Sequence, residues 1–157
     1  MTGLVAKGAV VATLVLAVLH WASRGDAEPR PRPVSGPVGD TVTASFTFCG
    51  SARRFNCVVD GDTFWLGRQK IRIADIDAPE LTPPRCEYER EVGEAAKHRL
   101  RALLNAGPFA LRAGVRDEDP FGRKLRMVMR AGRSIGERMV AERLVRRWDG
   151  NRRSWCD

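Results

Sequence analysis

The chain has 157 residues, 43% of them apolar and 29% charged, which fits a globular domain with extensions and excludes a wholly disordered chain. The net charge is +8, and it is unevenly placed: residues 123–157 hold eleven Lys or Arg against four Asp or Glu, whereas residues 41–122 hold twelve of each. A basic last third beside a neutral, acid-containing middle suits attraction of a polyanion without quenching the carboxylates. Arginine outnumbers lysine 23 to 4, compatible with bidentate phosphate contacts and equally with a GC-rich coding sequence.

Residues 8–22 form an apolar run between Lys7 and Arg24. Fifteen residues are short for a membrane span and long enough for the core of a signal peptide, with cleavage after Ala27 or retention as an N-terminal anchor. Residues 28–40 are rich in Pro and Gly and read as a linker, which leaves 41–157 as the folded domain. Four cysteines, Cys49, Cys57, Cys86 and Cys156, agree with export to an oxidising compartment. Three pairings are open. We favour Cys49 with Cys57 and Cys86 with Cys156, the longer closure contributing about 4 kcal/mol and the shorter about 2.5 kcal/mol on a chain-entropy model. The rival reading, a zinc site, lacks any Cys-x-x-Cys pair, and His98 lies inside a helical pattern.

The stretch 57–80, CVVDGDTFWLGRQKIRIADIDAPE, has the β-branched and aromatic content of strands. One strand is expected from Val58 and Val59, bending at Asp60-Gly61-Asp62 and continuing through Thr63 to Leu66; a second spans 71–76 after a tight turn at 67–69. Antiparallel pairing brings Asp62, Asp77 and Glu80 into one neighbourhood, with Arg72 projecting between them. Several carboxylates beside an arginine suit a hard metal ion and a phosphate. Taken alone, Asp-Gly between apolar runs signals no more than a turn.

A helix is predicted over Glu87–Asn105. Tyr88, Val92, Ala95, Ala96, Leu100, Leu103 and Leu104 recur at helical spacing, acids crowd its start, Lys97, Arg99 and Arg101 crowd its end, and Gly107-Pro108 stops it. His98 belongs on its outer side. Strands follow over 109–115 and 125–129, separated by an acidic turn that ends in Phe121-Gly122-Arg123, with a further turn at 131–133. A second helix fits 134–144, Ser134 and Glu137 forming a capping box. No internal repeat is found.

Three pieces, VVDGDTFWL, IRIADIDAPE and DPFGRKL, in this order and with a helix between the second and third, resemble the staphylococcal nuclease (thermonuclease) family over residues 54–149. The resemblance implies an α+β OB-fold, a five-stranded Greek-key barrel with helices against it. It also implies a calcium-dependent nuclease that cleaves DNA and RNA, single-stranded or locally melted, to 3′-phosphate products. By position, Asp62 and Asp77 match the calcium-binding carboxylates, with Asp60 supporting them from behind. Arg72 and Arg123 match the phosphate-binding arginines, and Glu80 the general base. Phe121, Lys124 and Trp148 fall where the nucleotide is held. Phe121 stands where the family often has tyrosine, and the chain ends soon after the second helix, so a Cys86–Cys156 bridge would hold the tail in place of a long terminal helix. The resulting expectation is an exported enzyme, periplasmic or secreted, or else tethered to the membrane through residues 8–22, with no obligate protein partner evident. Its rivals are a silent OB-fold module that binds nucleic acid and an envelope interaction domain whose basic tail meets anionic lipid.

Overall fold

A computed structural model of the chain describes residues 41–51 and 54–156. The expected signal or anchor segment and the linker lie outside these residues. The described chain is an α+β protein: a curled mixed sheet in the form of a half-barrel, a small second sheet, and two helices.

The strands are β1 (Thr41–Val42), β2 (Thr47–Phe48), β3 (Cys57–Val58), β4 (Thr63–Leu66), β5 (Gln69–Ile73), β6 (Ile76–Asp77), β7 (Phe109–Glu118), β8 (Lys124–Arg130), β9 (Arg133–Ser134) and β10 (Arg146–Arg147). Helix α1 is Glu87–Asn105 and α2 is Ile135–Ala141. The main sheet runs β1-β7-β8-β5-β4-β3-β2, with β9 attached to β8; β10 pairs with β6. Most pairings are antiparallel, but β5 lies parallel to β8 and β2 parallel to β3.

The run read as one bent strand over 58–66 is instead a hairpin, with Val58 opposite Phe64 and Cys57 opposite Trp65. Asp60 causes the reversal: its Oδ1 accepts the Asp62 amide at 3.1 Å, and the Val59 amide closes the turn on the Thr63 carbonyl at 2.9 Å. The next turn is tighter than expected. Leu66 and Gln69 already pair, leaving Gly67 and Arg68 as the two-residue loop, and Gly67 adopts φ 57°, a conformation that glycine takes without steric cost.

Side chains from both layers form one core: Phe64, Ile71 and Val128 from the sheet, Ala96, Leu100 and Leu104 from α1. Helix α1 starts and stops where its sequence predicts, although its buried face is rotated from expectation. Tyr88 is exposed, Ala95 is exposed and Val92 only partly covered, while Glu89 and Gly93 are buried. Glu89 is accommodated because Arg85 satisfies its carboxylate, and Gly93 because Leu81 fills the space where a Cβ would stand. The cations expected at the helix end lie before its last turn. Lys97 and Arg101 cover the Phe48 ring at 5.4 and 4.3 Å, and Arg99 pairs with Glu142. Exposed His98 packs its ring 4.5 Å from Phe48.

Helix α2 is shorter than the predicted 134–144 because Arg143 turns to φ 60° and Leu144 bonds back to the Met139 carbonyl. Ser134 caps the Glu137 amide as expected, but the Glu137 carboxylate reaches Arg147 instead of completing a capping box. Disulfides join Cys49 to Cys57 and Cys86 to Cys156, the favoured pairing, and consume all four cysteines. Such bonds form in oxidising compartments outside the cytosol. Among the described residues, no helix is long and apolar enough to cross a membrane.

Candidate functional site

The site begins with a glycine contact. A Cβ on Gly61 would lie 2.7 Å from the Cβ of Ala96 and 2.8 Å from that of Ala78, so the Asp60-Gly61-Asp62 turn rests directly on α1 and on the chain beyond β6. Seated there, buried Asp62 is bonded on every side. Its Oδ1 accepts the Thr63 hydroxyl at 2.9 Å, and its Oδ2 accepts the Ala78 amide at 2.8 Å and Arg72 Nη1 at 2.5 Å.

Arg72 projects from β5 opposite Thr63 and is itself buried. Its Nη1 also donates to the carbonyls of Ile73 and Ile76, at 3.2 and 3.1 Å, and its Nη2 lies 3.6 Å from Asp77 Oδ1. A guanidinium fixed this way keeps its orientation whether or not a ligand is present. Asp77, at the end of β6, sits opposite Arg146 of β10, so the last strand of the chain backs the site.

Negative charge is in excess. Burial, reinforced by Asp62, raises the Asp60 carboxyl to about 7. Burial and then Asp62 raise Asp77 as well, against the opposing pull of Arg72 and Arg152. Crowded, partly desolvated carboxylates of this kind favour a cation. Among the described residues, no three His, Cys, Asp or Glu side chains converge on one point. Asp62 and Asp77 are the two carboxylates closest to Arg72, and a hard ion with two such ligands completes its shell from backbone carbonyl and water oxygens. Carboxylate oxygens are the donor type that a hard cation takes.

Glu80 is half-exposed and ion-paired with Arg152. The loop that carries it leads into α1 and is held by Glu89, which is fully buried and accepts bonds from the Arg85 amide at 2.6 Å and Arg85 Nη2 at 2.8 Å. The bond from the Arg85 side chain is the main reason the Glu89 carboxyl stays below its ordinary value, aided by the backbone amides of Arg85 and Glu80.

A cleft of about 680 Å³ opens beside these groups, and Arg72, Arg116, Phe121, Arg123, Trp148 and Arg152 are among its walls. Arg123 is oriented by Asp119, whose Oδ2 accepts its Nε at 2.6 Å, and lies 5.4 Å from the Phe121 ring centre. The Trp148 amide bonds the Asp75 carbonyl at 3.0 Å, and the Arg72 guanidinium lies 6.0 Å from the indole centre. Guanidiniums between two partly exposed rings can bind phosphate and stack a planar base.

Of the residues singled out in the sequence, Asp60, Asp62, Arg72, Asp77 and Glu80 gather at one end, and Phe121, Arg123 and Trp148 join Arg72 along the cleft. Lys124 does not. It points away into ion pairs with Asp117 and Glu118, at 2.7 and 2.8 Å, as the alternation of β8 requires once Arg123 and Leu125 face the cleft. Sequence reading missed Arg116, Glu89 and the individual role of Arg152. It also missed Trp155, which is buried under the Arg146 guanidinium at 3.8 Å and anchors the tail together with Cys156. The Trp-Cys pair at the end of the chain was the available signal.

No protein-family model matches the chain, and no curated protein matches it.

Proposed function

We propose that the protein is a calcium-dependent nuclease of DNA and RNA, built on an OB-fold of the staphylococcal nuclease type. The observation that carries the reading is Arg72, fixed between Asp62 and Asp77, opening on the same cleft as Arg123 and Trp148. The OB-fold reading is supported by the parallel β5–β8 pairing and by α1 standing between the β3-β4-β5 meander and the β7–β8 pair. The disulfides support a periplasmic or secreted setting.

In this mechanism Arg72 and Arg123 hold the non-bridging oxygens of a phosphodiester and stabilise the charge that builds on them. Phe121 and Trp148 pack against the flanking nucleotides. Calcium, held by Asp62 and Asp77, would neutralise charge on a phosphate oxygen. Glu80 orients a water molecule and accepts its proton as the water oxygen bonds to phosphorus. The bond from phosphorus to the 5′ oxygen breaks with its electron pair, the 5′ oxygen takes a proton from solvent, and Glu80 returns its own. The products are a 3′-phosphate and a 5′-hydroxyl.

One observation favours a second reading, a binding module without turnover: the Glu80 carboxylate is already engaged by Arg152. Digestion of labelled DNA and RNA oligonucleotides in calcium or in EDTA, with analysis of the product ends, separates the two. Calcium-dependent fragments with 3′-phosphates support the nuclease, and binding without fragments supports the module.

A further inference from the structure

We infer that Arg152 is a third phosphate-binding side chain of the cleft and that the Cys86–Cys156 disulfide delivers it there. This rests on the proposed nucleic-acid-cleaving function and names a residue and a redox requirement beyond it. Four arginines lie in the tail, and three have other partners. Arg146 stacks on Trp155, Arg147 pairs with Glu137, and Arg153 pairs with Asp149. Arg152 alone of the four enters the cleft, beside Arg72, Arg123 and Trp148.

Its position is built. The segment that carries it is closed at one end by β10 pairing with β6, and at the other by buried Trp155 and the bond from Cys156 to Cys86. Arg146 Nη1 ties the two ends together through the Ser154 carbonyl at 2.8 Å. Among the described residues Arg152 forms its ion pair with Glu80, and both side chains are about half exposed, at 52% and 41%. An ion pair that wet contributes little to stability, so it does not account for a disulfide-closed loop. A phosphodiester entering the cleft offers Arg152 a bidentate partner in place of Glu80. The same exchange frees the Glu80 carboxylate to meet water.

The test is binding of a fluorescein-labelled single-stranded oligonucleotide to the full oxidised chain in EDTA, across a salt series. Arg152→Ala is expected to weaken binding about tenfold, the scale of one charge-assisted contact, and to lower the salt slope by about one. Arg153→Ala removes the same charge from a side chain occupied by Asp149 and is expected to shift affinity less than twofold. Cys86→Ser with Cys156→Ser is expected to match Arg152→Ala, and adding Arg152→Ala to that pair to change nothing further. If Arg152→Ala binds within twofold of wild type with an unchanged slope, the inference is overturned, however the cysteine variants behave. A wild-type chain that binds but does not cleave in calcium sinks the nuclease reading alone, and Arg152→Ala still decides the inference. A wild-type chain that binds no oligonucleotide overturns both.

Discussion

Asp62 accepts a 2.8 Å hydrogen bond from the Ala78 amide, sixteen residues along the chain. This bond joins the two acidic stretches, and Arg72 on the strand between them completes the connection by reaching Asp62 and Asp77. A site made this way has its carboxylates placed by the fold before any ligand arrives, and its unbalanced charge is a cost that a cation would relieve.

That cost leads to the first prediction. Calcium binding to the folded state alone should raise the thermal midpoint, by the equivalent of about 2.7 kcal/mol at one hundred times the dissociation constant. Asp77→Ala should abolish the rise. A wild-type midpoint unmoved by millimolar calcium, with a nucleotide 3′,5′-bisphosphate also present, would remove Asp62 and Asp77 as ligands.

Gly61 carries the second. Its missing Cβ is replaced by the Cβ atoms of Ala96 and Ala78 at 2.7 and 2.8 Å, atoms attached to backbone that cannot swing away. Gly61→Ala should therefore destabilise by about 1–3 kcal/mol, as overpacking does, and weaken the calcium response by displacing Asp60 and Asp62. Gly50→Ala, where nothing lies within 4 Å, is the control and should leave both unchanged. Equal midpoints for the two variants would contradict the packing described.

The third concerns acid. Hydrogen bonding from Arg85 depresses the Glu89 carboxyl in the folded chain below its ordinary 4.5. A depressed carboxylate stabilises the fold above the unfolded value and loses that contribution as pH falls through the folded one. Melting midpoints of wild type and Glu89→Gln should thus differ by a constant amount near neutrality and converge below about pH 4.5. A gap that persists unchanged at pH 3 would show that the Arg85–Glu89 pairing does not set the acid limb.

Much of this was readable before the structure because it rests on local chemistry. The bounds of α1 follow from acids at its start and Gly107-Pro108 beyond its end, and the β4–β5 turn follows from Gly67. The buried face of α1 was not readable, since Glu89 enters the core only by virtue of Arg85 four residues earlier. Strands of two residues, β1, β2, β3, β6, β9 and β10, are too short to show a period and are defined by the partner strand that passes. The ion pairs of Lys124 with Asp117 and Glu118 were not readable for a related reason: adjacency to Arg123 in a motif says nothing of the sheet alternation that sets its direction. Arg152 lay in a run of tail arginines whose partners, one by one, only the fold distinguishes.

The most direct test of the account is the rate at which the full oxidised chain cleaves a saturating oligonucleotide in calcium, beside Glu80→Gln. The account predicts cleavage by wild type that EDTA abolishes, and a turnover at least about a hundredfold lower in Glu80→Gln at a nearly unchanged melting temperature. Absence of calcium-dependent cleavage by wild type, or a Glu80→Gln variant as fast as wild type, would contradict it.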